Sequence, residues 1–130
     1  SEKREGPFEL MGPYGYTIPD EVCCNGWVID PGVLVDDDGK VYIYCGFERS
    51  FMAQINPDKM NEVLDGTLID NIIPVEEPYS FFEACSPRKI GDTYYMIYSQ
   101  KKGNRLDYLT SKSPTGPFEY GGTIIDNGVD

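Results

Sequence analysis

The sequence predicts an all-β fold in which small antiparallel sheets repeat as the blades of a β-propeller. Three observations predict it. Residues 29–46, IDPGVLVDDDGKVYIYCG, align without a gap on residues 82–99, FEACSPRKIGDTYYMIYS. Asp30 then falls on Glu83 and Tyr42 on Tyr95 (83 − 30 = 53; 95 − 42 = 53). GTLIDN at residues 66–71 recurs as GTIIDN at residues 122–127 (122 − 66 = 56), and GPFEL at residue 6 recurs as GPFEY at residue 116 (116 − 6 = 110). A period of about 50 residues made of short strands is the mark of repeated small sheets. A sandwich of seven or more strands is the alternative architecture, but a sandwich has no reason to repeat.

In chain order, residues 1–16 read as the closing strand of a preceding blade, residues 27–71 as a first full blade and residues 81–127 as a second. The first hairpin pairs residues 33–36 with 41–45 around Asp37, Asp38 and Gly39, a strong turn signal between alternating apolar runs. Residues 86–90 and 94–99 flank Gly91 and Asp92 in the matching place. Third strands are expected at residues 50–55, before the turn at Asn56, Pro57 and Asp58, and at 106–111, before Ser113, Pro114, Thr115 and Gly116. Fourth strands are expected at 62–69 and 118–125. Residues 60–64 admit one helical turn, too short to stand alone.

Composition excludes more than it names. The chain has 22 acidic and 11 basic residues, a net charge of −11, which argues against nucleic acid or an anionic membrane surface as partner. No apolar run approaches the roughly 18 residues of a membrane span, and the charged start has no signal-type segment. Cys23, Cys24, Cys45 and Cys85 lack a disulfide-framework spacing and read as buried thiols, which points to a reducing, cytoplasmic compartment. There is no histidine in the chain. Ser-His-Asp and Cys-His nucleophilic systems are therefore excluded within it, no zinc or other metal site is expected, and no cofactor is implied. Acid–base chemistry falls to carboxylates.

The repeat places two such groups. Asp30 and Glu83 each stand just before the first strand of a blade, the strand nearest a propeller's central channel. One acid there is as easily a turn cap. A pair at one repeat position points at a shared axis. Glu83, behind Phe81 and Phe82, sits among apolar residues of the kind that desolvate a general acid. Asp30, beside Pro31 and Gly32, suits an orienting role. Trp27 and Phe82 are candidate sugar-stacking rings, although such aromatics commonly belong to blade cores. Asp36, Asp37, Asp38 and Gly39 lack the ligand spacing of a calcium loop and read as a plain turn.

At these residues the sequence resembles glycoside hydrolase family 43, the five-bladed propellers that cleave β-xylosides and α-L-arabinofuranosides. The resemblance rests on the two aligned segments and on YLTSKSPTGPFEYGGTII at residues 108–125. It implies inverting hydrolysis by three acids, a saccharide of the xylose or arabinose type as partner, and no cofactor. By position, Glu83 matches the general acid, and Asp30 matches the aspartate that orients the acid and tunes its pKa. The general base has no match; Asp20 lies in a linker and is not assigned the role. Five blades of about 55 residues need roughly 275, so these 130 residues represent a central segment of about two blades. Hydrolysis by the segment alone is expected to be lost or very slow, and its uncovered blade faces are expected to self-associate. A non-catalytic saccharide-binding or assembly module is the alternative, and the related fructan-cleaving propellers are the runner-up within the enzymes.

Overall fold

A computed structural model of the chain describes residues 3–9 and 29–128. Trp27, Asp20, Cys23, Cys24 and most of the expected closing strand lie outside the described residues. Those described carry nine strands and no helix. The first sheet holds β1 (Gly32–Val35), β2 (Val41–Gly46), β3 (Ser50–Asn56), β4 (Lys59–Val63) and β5 (Ile69–Asp70). The second holds β6 (Phe81–Ile90), β7 (Thr93–Gln100), β8 (Arg105–Ser111) and β9 (Glu119–Asp126). The first sheet runs β1-β2-β3-β4 with β5 also pairing on β3, and the second runs β6-β7-β8-β9, every neighbour antiparallel, which is the meander of a propeller blade.

The turns follow from local chemistry. Between β1 and β2, Asp36 N–H donates to Lys40 O at 2.8 Å and Gly39 N–H to Asp36 O at 2.9 Å. Gly39 takes φ +82°, a region that costs glycine nothing. After β3, the Asn56 side chain accepts Asp58 N–H at 3.0 Å, an Asx turn that reverses the chain directly into β4. Residues 60–63 are therefore strand, not the helical turn their sequence admits. The fourth strand expected at 62–69 is divided. Gly66 at φ +76° breaks it, and the Thr67 hydroxyl donates to Leu64 O at 2.6 Å, so only Ile69 and Asp70 rejoin the ladder, opposite Met52 and Phe51.

Strand alternation decides the packing. Leu34, Tyr42, Tyr44 and Met52 of the first sheet meet Phe81, Tyr94, Met96, Tyr98 and Leu109 of the second in one core. Tyr44, Phe81, Met96, Tyr98 and Leu109 are no more than 1% exposed. Each such side chain contributes about 1.5–3 kcal/mol of burial. The phenols are not left unpaired: Tyr44 donates to Pro114 O at 2.6 Å and Tyr98 to Tyr79 O at 2.5 Å. Burial pushes both phenol pKa values up. Tyr95 and Ile97, which the 53-residue offset aligns with Tyr42 and Tyr44, lie half-buried on the opposite face of their sheet from Tyr94, Met96 and Tyr98. Each sheet thus turns equivalent residues the same way, as successive blades do.

A polar latch joins the sheets at the hairpin end. The Lys89 ammonium donates to Asp36 at 2.6 Å and lies 2.8 Å from an Asp37 carboxylate oxygen, while Tyr94 OH donates to the other Asp36 oxygen at 2.6 Å. These bonds, Lys89 first, hold the Asp36 carboxyl down at about 2 from an ordinary 3.8. A depressed acid stabilises the fold fully above its unfolded pKa, and that stability is lost as pH falls through the folded one. Asp36→Asn should therefore cost roughly 1–2 kcal/mol at pH 7 in urea denaturation. The gap to the native chain should close between about pH 4 and pH 2, the window set by the two values above. A gap that stays constant across that window would show that the latch carries no titrating stability.

Candidate active site

Both candidate acids stand where regular strand geometry fails. Asp30 precedes β1 at φ +51° and is exposed. Glu83 lies within β6, paired with Ser99, but the register slips on both sides of it and Ala84 takes φ +62°. A bulge of this kind re-aims side chains and is common beside active sites. Phe81, just before it, fills the core 5.9 Å from the Tyr98 ring. Phe82 and Glu83 are half-buried.

The two acid-bearing segments meet backbone to backbone. A Cβ on Gly32 would stand 2.2 Å from Cys85 O and 2.5 Å from Pro87 Cδ, so the start of β1 lies directly on β6. Asp30 is two residues before Gly32, and Glu83 is two residues before Cys85. The Cys85 thiol is buried, and its pKa is pushed up to about 12 by that burial first, then by Cys45 and by the charge of Asp30. Neither the Asp30 nor the Glu83 carboxylate accepts a hydrogen bond from, or forms an ion pair with, a described residue, whereas Asp36, Asp38, Asp70, Glu77 and Asp126 are all taken up by lysines or arginines. The seam between the blades thus holds two carboxylates that no described residue pairs with.

Of the four site residues read from the sequence, the structure brings Asp30, Glu83 and Phe82 to this seam; Trp27 lies outside the described residues. Phe82 has a partner that sequence reasoning missed, the Phe47 ring, 4.8 Å away at 57°. The Gly46-Phe47 step at a strand end was the available signal. A cleft of about 340 Å³ beside Thr93, Thr110, Lys112 and Gly116 lies at the other end of the second sheet. It contains neither Asp30 nor Glu83, and Glu119 is its lone carboxylate, so it lacks an acid pair for hydrolysis.

Comparison with known proteins agrees with this architecture. The family model of glycosyl hydrolases family 43 matches residues 1–128. A xylosidase/arabinosidase of Thermoclostridium stercorarium is 41% identical over 114 residues, covering 75% of this chain and 23% of that protein. The structure of an alpha-L-arabinofuranosidase from Clostridium thermocellum superposes with a TM-score of 0.75 at 28% identity, covering 96% of this chain and 42% of that one. A beta-xylosidase/alpha-arabinofuranosidase from a compost metagenome, solved in complex with xylotriose, superposes with a TM-score of 0.65 at 26% identity, covering 77% and 42%. The chain spans less than half the length of each of these relatives.

Proposed function

Because the chain belongs to glycosyl hydrolases family 43, and its two sheets are two blades of that family's five-bladed propeller, we propose that it supplies the acid side of an inverting glycosidase acting on xylosides or α-L-arabinofuranosides. Glu83 is the general acid that protonates the leaving oxygen. Asp30 orients that acid. One observation supports the reading: two carboxylates with no partner among the described residues stand at one seam, on backbone segments in direct contact. The general base, which activates water across the sugar ring, comes from outside residues 29–128. Without it, the acid and its orienting aspartate bind and protonate but turn over slowly or not at all.

Titration of the chain with xylotriose, followed by amide NMR, tests this. Binding should be roughly millimolar. The responding amides should cluster at residues 29–32, 46–48 and 82–85. Saturation with responses confined to the cleft beside Thr93 and Lys112 would overturn the site. Absence of any response at tens of millimolar xylotriose and arabino-oligosaccharide would overturn the saccharide reading altogether. Binding that Glu83→Gln leaves unchanged, in an enzyme that hydrolyses no glycoside, would favour a non-catalytic saccharide-binding module instead.

A further inference from the structure

One short turn touches both acid-bearing segments. Between β2 and β3, Gly46 N–H donates to Ile29 O at 3.1 Å, immediately before Asp30. Two residues on, Glu48 N–H donates to Phe82 O at 2.7 Å, immediately before Glu83. Between them, the Phe47 ring packs on Phe82 at 4.8 Å. The turn reaches both carbonyls only through unusual backbone. Gly46 takes φ +135°, and a Cβ there would stand 2.0 Å from Arg49 O. Glu48 takes φ +53°, which a side chain adopts only where its surroundings hold it. Those surroundings include the second blade: Lys101 pairs with the Glu48 carboxylate at 2.7 Å, and its own N–H is held by Ser80 O at 2.8 Å.

Such a brace matters because the ladder does not hold these acids. Asp30 lies before its strand, and Glu83 stands between two register shifts. We propose that the turn of Gly46, Phe47 and Glu48 is the positioning element that fixes Asp30 and Glu83 relative to each other, with Phe47 as the positioning side chain. The inference rests on the functional reading above and adds residues to it. A general acid misplaced by about 1 Å loses on the order of 10²-fold in rate. The loss falls on substrates that need protonation.

The test is kinetic, in an active full-length enzyme containing these residues, with methyl xyloside and 4-nitrophenyl xyloside as substrates. Phe47→Ala should lower kcat on the methyl glycoside by about 10–10²-fold, with KM changed less than about twofold, and should barely affect the nitrophenyl glycoside. Phe47→Leu, which keeps bulk against Phe82, should recover most of the loss. Equal losses on both substrates, or none, would overturn the positioning role while leaving Glu83 as the acid. If Glu83→Gln itself shows no difference between the substrates, both the functional reading and this inference fall. In the 130-residue chain, NMR couplings across the hydrogen bonds from Gly46 N to the Ile29 carbonyl and from Glu48 N to the Phe82 carbonyl should be present. Their absence would also overturn it.

Discussion

Glu83→Gln should lower kcat/KM on alkyl xylosides by about 10²–10⁴-fold and leave 4-nitrophenyl xyloside largely unaffected. The difference follows from the leaving group. An alcohol departs as an alkoxide unless it is protonated in the transition state, whereas nitrophenolate leaves unaided. Gln preserves the shape of Glu and keeps the β6 bulge, so the proton is the one thing removed. Stability should stay within about 0.5 kcal/mol, because no described residue donates a hydrogen bond to the Glu83 carboxylate. The measurement is kcat/KM for both substrates in an active enzyme carrying this stretch, with urea denaturation of the same variant. Equal losses on the two glycosides would sink Glu83 as the acid. A large loss of stability would instead show that the side chain is structural.

What the sequence made legible is what repeats. Strands β2, β3, β7 and β8 fall within a residue or two of their expected places, because alternation of apolar side chains is a local signal. Cys45 and Cys85 are buried as read, neither in a disulfide. The start of β6 was not legible. Residues 81–85 belong to the strand, but the positive φ at Ala84 shifts the side-chain pattern by one position, so alternation begins only at Ser86. The division between β4 and β5 was hidden likewise, since it depends on a Thr67 hydroxyl bond that composition does not announce. In the site, the 53-residue offset identified Asp30 and Glu83 as equivalent, but equivalence is not adjacency. What brings their backbone segments together is Gly32 lying on Cys85 and the turn at residues 46–48, contacts between distant positions. The Asp36–Lys89 pair shows what closer reading of the offset could have found. These residues are also 53 apart, an acid on one blade facing a base at the same position on the next.

Gly32→Ala should destabilise the chain by an amount near the upper end of roughly 1–3 kcal/mol and, in an active enzyme carrying this stretch, cut activity by about 10²-fold. Both effects have one cause. The new Cβ would stand 2.2 Å from Cys85 O and 2.5 Å from Pro87 Cδ, a backbone atom and a ring atom that cannot rotate away. Relief must come from moving β1 off β6, which separates Asp30 from Glu83. Gly32 is not among the residues at positive φ, so alanine suits its backbone and the loss measures contact alone. Gly39→Ala is the control of opposite cause. Nothing lies within 4 Å of its Cβ, but its φ of +82° resists any side chain. It should cost about 1–2 kcal/mol through conformation, at the end of the blade away from the acids, with activity per folded molecule unchanged. Urea denaturation of both variants, with kinetics under conditions where each is folded, separates the two. A Gly32→Ala chain as stable as the native one would mean that β1 does not rest on β6. A destabilised one with full activity would mean that this contact holds the blades together without placing the acids.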